Sequence, residues 1–282
     1  SDSEVHAVYI ALPHSMHAEW TKKAAKAKKH ILCEKPLTIN YQESLSVVEV
    51  ARDNEVFLME AFVFRSHPQT EKLRKLIKSG VIGKISIINA TFSFKSEAQP
   101  TDRQLLKELG AGGILDVGCY PISMVRLIVG EALGINFAEP EEIFGASYLD
   151  DAGIDECSIC CAKFSGDILA QVSCGISVFQ DQGVKIYGSK GYILIKSPWI
   201  PGGRNPAITE IILHMYKNAD SKTFYIETKI GSGSLMIDHF VKSIADRNSW
   251  ASFSDEALIN MKTLDRWRTS AKVNYEIDNK KL

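Results

Sequence analysis

Residues Val5 to Leu12, "VHAVYIAL", form a nearly continuous apolar run that stops at Pro13. Without polar alternation, such a run predicts a strand covered on both faces, as in a parallel sheet. The segment "SMHAEWTKKAAKAKK" after it is spaced for a helix, with Trp20, Ala24 and Ala27 expected on the inner face and most lysines in water. His30 to Cys33 then reads as a short strand, "NYQESLSVVEVARDN" as a helix opened by an Asn cap, and "EVFLMEAF" as a third strand. This β-α-β-α-β order predicts parallel strands joined by right-handed crossovers in an open, doubly wound sheet.

After "HPQTEKLRKLIKSG", a helix closed by Gly80, the pattern changes. The segments "KISIINATFSF", "DECSICCAKF", "DILAQVSCGI", "GVKIYGSKGYILI", "ITEIILHMY" and "KTFYIETK" read as successive strands joined by short turns, which predicts a large antiparallel sheet. One helix around 113 to 129 interrupts them, and helices near 234 to 247 and 254 to 272 close the chain. The expected class is therefore α/β, with a parallel-sheet domain at 1–62 and an α+β domain at 63–282 carrying a large, mostly antiparallel open sheet. The last helix is expected to pack back on the first domain. There is no internal repeat and no low-complexity linker.

With 282 residues and 45% hydrophobic content the chain can bury a substantial core. A net charge of −1 favours neither nucleic acid nor a membrane surface, so a small, roughly neutral partner is expected. No run reaches the roughly 18 consecutive apolar residues of a membrane span, and "SDSEVHAVYI" lacks the basic start and apolar core of a signal peptide. The cysteines at 33, 119, 157, 160, 161 and 174 lie mostly in apolar runs, a pattern of a reducing, cytoplasmic setting. In "ECSICCAKF" the spacing of three puts Cys157 and Cys160 on opposite faces of a strand, which argues against zinc.

In open parallel sheets the ligand crevice lies outside the carboxyl ends of the strands. Two tight segments sit there: "LPHSMH" after the first strand and "CEKP" after the second. Pro36 cannot donate a backbone hydrogen bond and biases Lys35 away from helical geometry. Lys35 held there can orient a hydroxyl and tune a neighbouring acid or base, or Glu34 and Lys35 can form a plain surface pair. The second candidate is "ELGAGGILDVGCYPISMVRLIVG". Its glycines allow close backbone approach before a helix, on which Asp116 and Tyr120, four apart, share a face. A free phenol titrates near 10, and a neighbouring ammonium is expected to lower that value. Lysine, tyrosine and aspartate together make an acid–base set suited to alcohol oxidation, while Asp116 merely satisfying a buried Tyr120 is the plainer alternative.

The stretches "VYIALPHSMHAEW", "CEKPLTIN", "MEAFVFRSHPQTEKLRKLIKSGVIGKI" and "GAGGILDVGCYPI", in this order, resemble the Gfo/Idh/MocA family of NAD(P)-dependent oxidoreductases across nearly the whole chain. Tyr120 stands where many sugar and inositol dehydrogenases of the family have His, and this Tyr version resembles dimeric dihydrodiol dehydrogenases, D-xylose dehydrogenases and glucose-fructose oxidoreductase. The resemblance implies a Rossmann-type first domain, with Lys35 positioning the substrate hydroxyl, Tyr120 exchanging its proton and Asp116 assisting. It implies that Leu12, Pro13, His14 and His17 run along the cofactor, and that Glu34, Lys35 and Pro36 meet its nicotinamide end. The His14-x-x-His17 pair, a possible metal motif on spacing alone, takes a cofactor-loop or capping role under this resemblance. Arg103 is expected to reach the same crevice, and Trp199 either lines the substrate mouth or anchors its loop.

The implied cofactor is NAD or NADP, with NADP favoured by the Tyr-type relatives. The implied substrate is a sugar, polyol or cyclic trans-diol, and the implied assembly is a homodimer or homotetramer through the second-domain sheet. A sugar–sugar oxidoreductase with retained cofactor and a non-catalytic NAD(P)-sensing regulator are the alternatives; the retained Lys35, Asp116 and Tyr120 argue against the sensor. The sequence departs from the family in one respect: no glycine-rich turn follows a buried strand to open a first βαβ unit. Together with the missing initiator Met, this leads to the expectation that on the order of 60 residues of the cofactor domain lie upstream in a longer polypeptide, the alternative being a true fragment whose cofactor site is half gone.

Overall fold

The computed structural model describes residues 2–97, 105–275 and 278. Its first sheet holds β1 (Ala7–Ile10), β2 (His30–Glu34) and β3 (Leu58–Ala61), parallel and in that spatial order. Helices α1 (His14–Lys26) and α2 (Tyr41–Asp53) make the crossovers. Asn40 starts α2 as its sequence position predicts, its side chain accepting from Glu43 N–H at 2.9 Å.

Two expectations for this unit are not met among the described residues, and for one reason. Among the described residues β1 pairs only with β2, and Tyr9 on it is 52% exposed. The inner face of α1 is His14, His17, Ala18, Thr21 and Ala25, whereas Trp20 is 43% exposed. Trp20, Ala24 and Ala27 instead line, with Tyr9 and Leu12, a groove of about 620 Å³ on the open side of β1. Apolar periodicity says which residues prefer cover; it does not say which neighbour supplies it.

The chain continues through a 3-10 turn at Val63–Ser66 into α3 (Pro68–Lys78), with Pro68 in its first turn and His67 Nδ1 accepting from Gln69 N–H. Gly80 ends this segment at φ +65°, a conformation that favours glycine. The second sheet has eight strands: β4 (Ile85–Ser93), β5 (Glu142–Leu149), β6 (Asp155–Phe164), β7 (Ile168–Gly175), β8 (Gly183–Gly188), β9 (Gly191–Ile195), β10 (Ala207–Met215) and β11 (Asp220–Thr228). Their spatial order is β11-β10-β9-β8-β4-β7-β6-β5, antiparallel throughout except for the parallel β4–β7 pair. The edge strand β5 escapes sequence reading because its largest apolar side chains, Phe144 and Tyr148, point outward while Gly145 and Ser147 face in.

Against the inner face of this sheet lies α4 (Cys119–Leu133), entered through a π-helical turn at Ile114–Gly118. An 18-residue window within Lys107–Leu133 is apolar enough on average to cross a membrane, and all of that window is buried inside the fold. Helices α5 (Ser232–Ile244) and α6 (Trp250–Ser270) then return to the first sheet. Phe240 of α5 stacks on Phe57, and Ala257 of α6 joins the cluster of Val47, Val48 and Ala51 on α2. These contacts bring the carboxyl ends of β1 and β2 up to the start of α4.

Candidate active site

Lys35 leaves the end of β2 ahead of Pro36, and the Lys35–Pro36 bond is cis. Its ammonium donates to the backbone carbonyl of Asp116 at 2.5 Å and lies 3.3 Å from Asp116 Oδ1. The side chains are 12% and 6% exposed, so this pair is largely shielded from water. The same ammonium lies 5.1 Å from the centre of the Tyr120 ring. Glu34 does not pair with the lysine side chain; it accepts the Tyr9 hydroxyl instead. The plain surface pair considered from sequence is therefore absent.

The π-helical turn places Asp116 just before α4, where it and Tyr120 both come within reach of Lys35. An Asp155 carboxylate oxygen accepts from Ile114 N–H at 2.6 Å and anchors that turn. Gly112 is required here: its φ is +118°, and a Cβ would fall 2.0 Å from Asp155 Oδ1.

The Tyr120 ring sits in an aromatic box. Phe62 and Phe92 meet it edge-on at 5.1 and 5.2 Å, with Trp199 at 6.4 Å. Burial pushes the phenol pKa up, and Lys35 pulls it back only part of the way. The net direction is thus opposite to the lowering expected from a neighbouring ammonium, because desolvation outweighs the favourable charge. For Lys35, burial favours loss of the proton, but the negative charge around it, with Asp116 and Glu34 the carboxylates, outweighs burial and holds the ammonium protonated.

His14 and His17 hold the two strand-end loops together. His14 Nδ1 donates to Gly110 O at 2.9 Å, and its Nε2 faces Asp116 Oδ1 at 3.9 Å. Burial, with Lys35 acting in the same direction, keeps His14 well below its usual pKa and neutral. The ring of His17 lies between Pro36 O at 2.9 Å and Leu12 O at 2.8 Å, one carbonyl from each loop. Burial lowers its pKa as well, and a neutral ring donates to only one of these carbonyls at a time. Leu12 and Pro13 border the same end of the sheet.

Trp199 is 2% exposed, donates its indole N–H to Thr91 O at 2.9 Å and stacks on Phe92. It holds its loop to β4 and backs the Tyr120 ring. Arg103 lies outside the described residues. Sequence reading missed Glu60, whose Oε1 accepts from Leu37 N–H at 2.9 Å. A glutamate inside the apolar strand "FLMEAF" was the available signal.

Residues 1–62 match the family described as "Oxidoreductase family, NAD-binding Rossmann fold", and residues 70–194 match "GFO/IDH/MocA C-terminal domain". A trans-1,2-dihydrobenzene-1,2-diol dehydrogenase from Danio rerio is 32% identical over 201 residues, covering 71% of this chain and 58% of that protein. A D-xylose 1-dehydrogenase (NADP(+)) from Haloferax volcanii is 40% identical over 130 residues, covering 46% of this chain and 40% of that protein. The chain thus spans about half the length of these curated relatives. Among solved structures, a 3-ketoreductase from Actinomadura kijaniata in complex with NADP and TDP-benzene superposes with a TM-score of 0.83 at 26% identity, covering 95% of this chain and 79% of that one.

Proposed function

The chain belongs to the Gfo/Idh/MocA oxidoreductase family, and from that premise we propose that it is the acid–base and substrate-holding part of an NAD(P)-dependent dehydrogenase or reductase. The proposed reaction interconverts a secondary alcohol and a ketone on a sugar, polyol or cyclic trans-diol. One observation carries this reading: Lys35 from the parallel sheet and Asp116 with Tyr120 from the α4 region converge although 81 residues separate Lys35 from Asp116. The relatives' names support the substrate class, and NADP is favoured because both the Haloferax enzyme and the Actinomadura structure name it.

The loop chemistry supports part of a dinucleotide site. The ends of β1 and β2 lie side by side, bridged by His17, so Leu12, Pro13, Glu34, Lys35 and Pro36 form a continuous rim suited to the nicotinamide end. α1 begins at His14 behind Pro13, with no glycine and no side-chain cap, so it does not offer the glycine cradle that a pyrophosphate needs. When bound, the nicotinamide supplies or accepts the hydride. In the reductive direction the Tyr120 hydroxyl, kept protonated by burial, gives its proton to the ketone oxygen as the carbon gains hydride. The Lys35 ammonium stabilises the phenolate left behind, and Asp116 holds Lys35 in place. Oxidation reverses these steps, with the alcohol proton passing to Tyr120.

The first 62 residues are proposed as the cofactor-facing domain and residues 63–282 as the substrate and pairing domain. Subunits are proposed to pair through the outer face of the second sheet, where Phe144, Tyr148, Ile159 and Leu169 stand exposed, into a homodimer or homotetramer. A reducing compartment such as the cytoplasm suits the six free thiols. Purified full-length protein, incubated with D-xylose or trans-diols and NADP or NAD, tests the reading through absorbance of the reduced nicotinamide. Turnover that depends on Lys35 and Tyr120 supports it. Cofactor binding without turnover of any such alcohol or ketone overturns it in favour of a sensor.

A further inference from the structure

We infer that Glu60 and Arg65 are positioning residues that fix Lys35 and Tyr120 relative to one another across the two sheets. The inference rests on the proposed acid–base roles of Lys35 and Tyr120. Glu60 is 3% exposed on β3, and its Oε1 accepts from the backbone N–H of Leu37, two residues beyond Lys35. Its other oxygen lies 3.8 Å from Arg65 Nη1. Arg65 extends the connection to the second half of the site. It donates from Nη2 to Ser123 Oγ at 2.6 Å, three residues beyond Tyr120 on α4. Its guanidinium also lies 4.2 Å from the centre of the Phe62 ring, which meets Tyr120 edge-on. A continuous chain of contacts therefore runs from the Lys35 loop through Glu60 and Arg65 to both the helix and the ring of Tyr120.

The far end of this chain is fixed. Glu256 on α6 pairs with Arg65 and lies 3.1 Å from Arg126 Nη1, while Arg126 also donates to Asn260 Oδ1 at 3.0 Å. Two carboxyl groups and two guanidiniums are thus gathered among aromatic side chains; burial pushes the Glu60 pKa up to about 8, so the firm charges are those of Glu256, Arg65 and Arg126. Apolar residues of similar volume commonly fill such a space with equal or greater stability, so a charged network is better suited to defining geometry than to strengthening the fold. Apolar contacts tolerate sliding; a fork of hydrogen bonds from Arg65 to Ser123 and Glu256 does not.

The test compares Glu60→Ala, Glu60→Gln and Ser123→Ala in the full-length chain. Hydrogen exchange at the Leu37 amide is read without substrate or cofactor, and kcat and KM are read with both. Glu60→Ala is expected to speed Leu37 exchange at least about tenfold and to lower kcat on the order of 100-fold, with the cofactor KM nearly unchanged, as a displaced acid–base group would. Glu60→Gln keeps an acceptor for Leu37 and is expected to restore both readouts. Ser123→Ala is expected to lower kcat several-fold while leaving Leu37 protected, and it carries the test if Glu60→Ala does not fold.

Unchanged Leu37 exchange in a folded Glu60→Ala variant overturns the inference. So does a kcat loss that is equal in the Ala and Gln variants, or an unaltered kcat in Ser123→Ala. The exchange readout is separate from the proposed reaction. If Tyr120→Phe keeps full turnover while Glu60→Ala still frees Leu37, the reaction assignment has failed and the loop anchoring has not.

Discussion

The Lys35 ammonium, at the end of a strand in one sheet, lies 3.3 Å from the Asp116 carboxylate beside a helix packed on another sheet. Each group is largely buried and each makes the other's charge tolerable. Replacing Lys35 by Met takes the cation away from a buried carboxylate and is expected to cost about 3 kcal/mol of stability. Adding Asp116→Asn to that variant should recover much of the loss. Urea unfolding of the four proteins in the cycle checks this, and strictly additive losses would show that the pair is not coupled.

Trp199 gives a second expectation. Its indole is sealed between Phe92, Thr91 and Tyr120, so Trp199→Ala opens a cavity and is expected to destabilise the fold by about 3–5 kcal/mol. Its effect on turnover should appear in kcat through a loosened Tyr120. A stable variant that alters only the substrate KM would mean that Trp199 meets substrate directly.

Asp155 provides a pH signature. Burial pushes its pKa up from 3.8 to about 6 despite the hydrogen bonds from Ile114 and Ser158. Between those two values the folded chain holds this proton more tightly than the unfolded chain does. Stability from this group is therefore greatest at acid pH, falls as pH rises through the window, and reaches its full penalty above about 6. Asp155→Asn keeps an acceptor for Ile114 and should remove up to about 3 kcal/mol of that fall. Thermal or urea unfolding of both proteins from pH 4 to 7 gives the difference; parallel curves would contradict it.

The elements of the first 62 residues are legible in the sequence because each carries its own local signal. Asn40 caps α2 through a short-range hydrogen bond, and Pro36 constrains Lys35 from the next position. Lys35, Asp116 and Tyr120 could be singled out individually, whereas their meeting depends on packing between segments far apart in sequence. Trp20, Ala24 and Ala27 are as apolar as a core-facing stripe, yet among the described residues they line the open side of β1. The raised Tyr120 pKa is hidden from the sequence for a related reason. A neighbouring lysine is visible in the sequence, but the desolvation by Phe62, Phe92 and Trp199 exists only once the chain is folded.

The exposed face of the second sheet leads to a prediction about assembly. Phe144→Glu combined with Ile159→Lys places charges on adjacent strands of that face. These substitutions are expected to convert the proposed homo-oligomer to monomers without unfolding it, as read by light scattering. An unchanged mass would place the interface elsewhere, and a monomeric parent at micromolar concentration would remove it.

The most direct measurement is turnover and cofactor affinity of full-length Tyr120→Phe beside the parent protein. The substitution keeps the ring in its aromatic box and removes only the hydroxyl. The account predicts a kcat lower by on the order of 100-fold to 10,000-fold, with the cofactor dissociation constant nearly unchanged. A kcat equal to the parent's would contradict it, because Tyr120 could then not be the group that exchanges the proton.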